Sequence, residues 1–227
     1  MASGMIHYVI SKRVAKLVGI EDVERFLLGA VVAPDASSHA DGSYDKAHFQ
    51  GWLQDRTMKG IDFSRFADKY GDRFEADDFY LGYWCHLMED AIWVYDVVDK
   101  YVRIHTGEVK KAYYQKGYRD YERLNYLLLR AYGLQSPEFM NQEVPAEEVR
   151  QDLVEAMIES VKGYFAVAPC KQEELELYTW EVITAYMDKC VQVCAEEIEK
   201  WKMGKENRPA KQYYVKAYLN VKEEKIP

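Results

Sequence analysis

Residues 79–93, Phe-Tyr-Leu-Gly-Tyr-Trp-Cys-His-Leu-Met-Glu-Asp-Ala-Ile-Trp, set a histidine and an aspartate four positions apart among bulky apolar residues. On a helix, His86 and Asp90 stand one above the other on the same face. Projected at about 100° per residue, Leu81, Trp84, Met88, Ala91, Ile92, Tyr95 and Val102 form one apolar stripe. The opposite side carries Phe79, Tyr83, Trp93 and Val97, with His86 and Asp90 in their midst. Asp78, Glu89, Asp96, Lys100 and Arg103 fall in the wedge between. An imidazole and a carboxylate among apolar groups must be paired or bound, because burying a lone charge is costly. A metal ion is the partner this spacing suggests.

Helical periodicity runs through nearly the whole chain. A first helix is predicted from about Ile6 to Val18, ended by Gly19. A second opens at Glu21-Asp22 and stops before Pro34. Ala33 to Lys46 reads as a long ordered loop, followed by a short amphipathic piece at Phe63–Tyr70. The central helix is expected from Glu75 or Ala76 to Ile104, and Thr106-Gly107 break it. Further helices are expected at Glu108–Tyr132, Pro145–Phe165, Gln172–Met203 and Pro209–Val221. Strand alternation is not convincing anywhere. The expected architecture is all-α: one multi-helix bundle over residues 5–227, with Met1–Gly4 set aside as an alternative start or remnant.

Composition narrows the function classes. With 227 residues, 48% hydrophobic and 30% charged, the chain can bury a core without staples. A net charge of −8 argues against a nucleic-acid partner, which wants a basic footprint. An anionic substrate then requires a local positive feature, and a divalent cation supplies one. The cysteines Cys85, Cys170, Cys190 and Cys194 have neither disulfide-framework nor zinc-finger spacing. Together with the lack of a membrane-length apolar run, this suggests a reduced, cytoplasmic protein.

His7 lies on the apolar side of the first helix, beside Ile10 and Val14, where a satisfied core histidine is the plainer reading. Asp35 follows Pro34 at the mouth of a buried segment, a natural place for a turn aspartate. His48, in Lys46-Ala-His-Phe49, has the plain reading of a loop histidine packed on Phe49. Taken together with His86 and Asp90, these inward His and Asp positions suit zinc, nickel, iron or manganese. Cys85 points about 100° away from His86 on a helix and is a poor ligand. Tyr113, Tyr114, Tyr118, Tyr121 and Tyr126 share one helix; rim packing is expected, with a cleft for a sugar, choline-like or base group as the alternative. The acidic pairs Glu147-Glu148, Glu173-Glu174 and Glu196-Glu197 read as solvated faces.

In the order Met5-Ile-His-Tyr8, Gly29-Ala-Val-Val-Ala-Pro-Asp35, His48-Phe49 and Tyr80-Leu-Gly-Tyr-Trp-Cys-His-Leu-Met-Glu-Asp90, the first 105 residues or so resemble the zinc-dependent phospholipase C family. The resemblance implies an all-helical phospholipase C/nuclease-like fold whose buried metal cluster cleaves phosphodiesters. It implies His7, Asp35, His48, His86 and Asp90 as metal ligands, with Asp90 able to bridge two ions. It also implies Asp35 beside the attacking water, as ligand or general base. The family's further His, His and Glu ligands have no counterpart here: Asp96 stands ten residues past His86, and His105 is the one histidine left. One or two ions, zinc first among them, are therefore expected. The expected substrate is a small-molecule or lipid-headgroup phosphoester. The alternative is a metal-binding helical protein without turnover.

Overall fold

The computed structural model describes residues 2–217. Helix α1 (Gly4–Val18) starts at Ser3, whose hydroxyl accepts from the Ile6 amide, and stops where Gly19 turns left-handed at φ 70°. Asp22 caps α2 (Val23–Leu27) through the Arg25 amide, and the chain continues as a π-helical turn over Leu28–Val32. After a loop come α3 (Ser43–Ala47), strands β1 (Gln50–Trp52) and β2 (Met58–Ile61), and α4 (Phe63–Tyr70). The central helix α5 (Asp78–Trp93) runs into a second π-helical turn at Val94–Val98 and a last turn, α6 (Asp99–Tyr101). Then follow α7 (Gly107–Tyr132), α8 (Gln151–Gly163), α9 (Trp180–Lys202) and strand β3 (Val215–Lys216). The fold is predominantly α, as the periodicity predicts.

Helix α5 is the axis of one continuous apolar core. Every residue from Phe79 to Trp93 is buried, so it has no solvent wedge at all. That corrects the expected placement of Glu89, which is wholly enclosed, and of Arg103, which is 8% exposed. Helices α1 and α9 pack along α5, and α2 with its π-turn crosses it. The crossing is close because both partners carry glycine there. A Cβ on Gly29 would overlap the Phe79 carbonyl oxygen, and one on Gly82 would overlap that of Phe26. The two backbones touch where side chains would normally separate them.

Several helix boundaries differ from the periodic pattern for local reasons. Helix α9 begins at Trp180, not Gln172, because the amides of Glu176, Leu177 and Tyr178 donate to the buried Asp120 carboxylate at 2.8–3.1 Å. Helix α8 begins at Gln151, because Arg150 before it is extended at ψ 95°. The expected C-terminal helix is a 3-10 turn at Ala210–Tyr213 followed by β3; residues 218–221 of that expectation lie outside the described residues. A small antiparallel sheet in the order β1-β2-β3 is present where no strand was expected. Its register pairs Gly51 with Gly60, and both glycines lie under Tyr214, where a Cβ would collide. Short strands with central glycines carry little alternation to read. Ala2, Ser3 and Gly4 are buried and belong to the fold, unlike their treatment in the sequence. Glu197 departs from the solvated-face expectation too, being buried and bonded to Lys200, Asn207 and Arg208. Among the described residues no helix is long and apolar enough to cross a membrane.

Candidate metal centre

All five predicted positions meet in one place. His7 comes from α1, Asp35 from the turn after the first π-helical segment, His48 from the end of α3, and His86 and Asp90 from α5. His7, His48, His86 and Asp90 are fully buried, and the Asp35 side chain is 11% exposed. Two overlapping donor groups result, His7–His86–Asp90 and Asp35–His48–His86.

The orientation of each ring follows from its backbone partner. His86 Nδ1 lies 2.9 Å from the Ala30 carbonyl, and His48 Nδ1 lies 3.1 Å from the Tyr44 carbonyl. A carbonyl only accepts, so each Nδ1 carries the proton and each Nε2 faces inward as a ligand atom. Ala30 sits inside the π-helical turn, where the i→i+5 pattern differs from the regular α-helical ladder. The Gly29–Gly82 crossing brings that turn against α5, so glycine packing and His86 orientation are one device. Tyr44 stacks on His48 with ring centroids 4.0 Å apart. Phe49, immediately after His48, has φ 47°, a left-handed conformation costly for a bulky residue. Its burial against Phe66 and Tyr83 holds it there.

Asp35 Oδ1 lies 3.4 Å from His48 Nε2 and 3.9 Å from His86 Nε2. Asp90 Oδ2 is 3.6 Å from both nitrogens, which are 3.4 Å from each other. A tetrahedral ion with bonds of about 2.0–2.1 Å sets its donors roughly 3.3–3.4 Å apart; the Asp35–His48 and His48–His86 edges match that spacing at 3.4 Å, and the others are longer at 3.6–3.9 Å. Asp35 Oδ1 and Asp90 Oδ2 have no hydrogen-bond partner although both are buried. Two orphaned carboxylate oxygens facing two ring nitrogens call for a cation. The residues therefore fit a divalent transition ion.

His7 occupies the other side of Asp90. Its ring stacks on His86 at 4.1 Å, and its Nε2 lies 3.3 Å from Asp90 Oδ1, which also accepts from the Ala2 amide at 3.0 Å. Its Nδ1 meets Glu89 Oε2 at 2.6 Å, deep in the core. Glu89 is the site residue that the helical projection misassigned. The available signal was its place next to Asp90 in a segment otherwise rich in large apolar groups. A carboxylate behind a ligating histidine orients the ring and raises its basicity. Against the burial that lowers it, His7 is pushed up to about 10 by its bonds to Asp90 and Glu89. Burial pushes the Glu89 carboxyl up despite His7. Burial also works against ionisation of Asp35 and Asp90, yet His48, His86 and His7 hold Asp35 below the ordinary carboxylate range, and Asp90, with His7 and His86 among the groups that lower it, lies well below that range.

The centre opens through Asp35 into a cleft of about 740 Å³. Tyr44, Tyr114, Tyr118, Tyr121, Tyr164 and Tyr178 line it, with Trp52 and Trp93. Three tyrosines of α7 thus form a cleft wall, where rim packing was expected. Tyr113 instead packs against His105, the rings tilted at 41° with centroids 4.0 Å apart, and His105 belongs to neither donor group. Lys59, Arg103 and Lys110 also line the cleft, alongside the acidic Asp35, Asp45 and Glu122. Cys85 is buried and stands outside both donor groups.

One prediction arises directly from the crossing. Gly82→Ala should destabilise the protein by about 2 kcal/mol, the usual cost of overpacking a rigid contact. It should also weaken metal binding, because the Ala30 carbonyl must move away from His86. Urea unfolding and a metal-competition titration measure the two effects; an unchanged metal affinity would show that the contact does not orient the ring.

The chain matches no protein-family model, no curated protein and no solved structure significantly.

Proposed function

We propose that this protein is a metal-dependent phosphoester hydrolase, with one or two divalent ions, zinc first among them, held by His7, Asp35, His48, His86 and Asp90. The observation that carries the reading is the meeting of two overlapping donor groups, with two orphaned carboxylate oxygens among them, beside an open cleft. The resemblance to zinc-dependent phospholipases C rests on the same positions and points the same way. When bound, such an ion supplies a water-derived nucleophile near neutral pH and offsets charge on the phosphoryl oxygens.

The chain's own residues divide the remaining work. Asp35 stands between the centre and the cleft, and as an anion it accepts a hydrogen bond from the attacking water and aligns it. Asp90 holds the centre to the rigid α5 and spans toward His7 with its second oxygen. Glu89 fixes the His7 ring. Lys59, Arg103 and Lys110 draw a phosphate into the cleft. The aromatic walls displace water from the reacting groups.

A second reading, metal binding without turnover, has one observation in its favour: His7, His48, His86 and Asp90 are all fully buried, an enclosure that is the habit of structural rather than catalytic zinc. Elemental analysis of purified protein combined with assays on bis(p-nitrophenyl) phosphate and p-nitrophenyl phosphate separates the two. The hydrolase reading expects stoichiometric metal and turnover that chelator removes and zinc restores. Metal without turnover of any diester or monoester favours the structural reading. Absence of stoichiometric metal sinks both.

A further inference from the structure

We propose that the Tyr44 and Tyr164 hydroxyls form a two-sided clamp for a tetrahedral oxyanion, donating hydrogen bonds to the phosphoryl oxygens of a substrate held at the metal centre. This rests on the phosphoester reading and deepens it by naming the residues that grip the phosphoryl group. Formal charge shows why such donors are needed. Asp35 and Asp90 bring two negative charges, so one divalent ion leaves the set of Asp35, His48, His86 and Asp90 neutral. Lys59, Arg103 and Lys110 draw an anion inward, but they share the cleft lining with Asp35, Asp45 and Glu122, which offset them. Arg103 Nη2 is also turned to the Lys216 carbonyl. An oxyanion at a formally neutral centre is held best by donors aimed at its oxygens.

The two phenols touch the centre through different elements. Tyr44, on α3, stacks on the His48 ring with centroids 4.0 Å apart and packs with His39 at 3.8 Å, contacts that fix its ring. Tyr164 follows α8 and lies against the start of α1, where its hydroxyl oxygen would stand 3.1 Å from a Cβ on Gly4. Ala2, two residues before Gly4, holds Asp90 Oδ1 through its amide. Both tyrosines line the cleft and both are partly exposed, so a ligand in the cleft can reach them. The Tyr44 hydroxyl bonds no described residue. Tyr164 accepts from Ser160 at 3.4 Å, which leaves its own proton to donate. Burial, then the Asp90 and Asp35 charges, hold the Tyr44 phenol well above its ordinary value. Burial and, against the Ser160 bond, the Asp35 charge raise that of Tyr164, so one carboxylate is felt by both hydroxyls. A phenol is a neutral donor at pH 7 with or without such a shift. A tetrahedral oxyanion bound through one oxygen has others left for donors on two sides, whereas a carboxylate has only one.

Calorimetric titration of the full-length, zinc-loaded protein with inorganic phosphate, and separately with acetate, tests the clamp. Phosphate should bind about tenfold more tightly than acetate, and Tyr44→Phe and Tyr164→Phe should each weaken phosphate binding by about ten- to a hundredfold, the loss of one hydrogen bond to a charged group. Phenylalanine keeps the ring contacts with His48, His39 and Gly4. Zinc affinity, read by competition with a chromogenic chelator, should therefore stay unchanged in both variants. Thermal melts establish that the variants fold; should one not, the other decides. Phosphate bound no more tightly than acetate by the unmodified protein overturns the clamp. So does unchanged phosphate affinity in a folded variant, or a parallel loss of zinc affinity, which assigns the effect to packing around the ligands. Phosphate gripped as expected, without hydrolysis of bis(p-nitrophenyl) phosphate or p-nitrophenyl phosphate, leaves the clamp standing and removes the hydrolase reading. Hydrolysis with unchanged phosphate affinity in both variants does the reverse.

Discussion

Asp90→Asn should abolish stoichiometric metal binding and lower phosphoester turnover by about a thousandfold, comparable to removing a principal electrostatic element of an active site. Both oxygens of Asp90 are committed: one faces His48 and His86, and the other accepts from Ala2 and faces His7. Asparagine keeps the size and one acceptor, so the fold contacts survive while the charge does not. His86→Ala should lose metal equally, because His86 is the residue shared by both donor groups. Glu89→Gln should be milder, about ten- to a hundredfold in metal affinity, the usual scale for a group that orients a ligand without touching the ion. Inductively coupled plasma mass spectrometry and steady-state kinetics read these outcomes. Full metal occupancy in folded Asp90→Asn protein would remove Asp90 from the centre.

Stripping the ion should lower the melting temperature by roughly 10 °C. An ion present at a thousand times its dissociation constant stabilises by about 4 kcal/mol, and each kcal/mol moves a domain of this size by about 2–4 °C. The gap should also depend on pH. In the metal-free protein His7 is raised to about 10, so its stabilising contribution is complete below about 6.5 and is lost as pH rises through 10. Asp35 and Asp90 are depressed, so their contribution is present above about 4 and disappears only as pH falls through their lowered values. Metal binding needs deprotonated donors and strengthens as pH rises. The loaded and stripped proteins should therefore diverge between pH 6 and pH 9. Differential scanning calorimetry showing parallel pH profiles would contradict a role for His7 in holding the ion.

Much of the framework was legible because helices announce themselves locally. Gly19 and Gly133 end α1 and α7 in left-handed conformations, as a helix followed by glycine predicts. His86 and Asp90 share a face because their spacing obliges them to. The misses have a common cause. Glu89 was placed in a solvent wedge because a helical projection assumes that one side of the helix is wet; α5 has neighbours all round. The start of α9 was set too early because Asp120, over fifty residues away, takes the amides that would have begun it.

The sequence by itself determined which side chains leave each helix in the same direction. It therefore paired His86 with Asp90 and put His7 on an apolar face, while Asp35 and His48, read alone as a turn and a loop residue, joined them only when the set was taken together and through the family resemblance. Only the tertiary structure decided that they converge, because convergence depends on two helix backbones touching at Gly29 and Gly82 and on two carbonyls turning two imidazoles inward. It also turned three tyrosines of α7 from a packing rim into the wall of a cleft, by placing the β1-β2-β3 sheet across from them. Periodicity fixes the direction of a side chain; what stands opposite it is fixed by the packing of segments far apart in the chain.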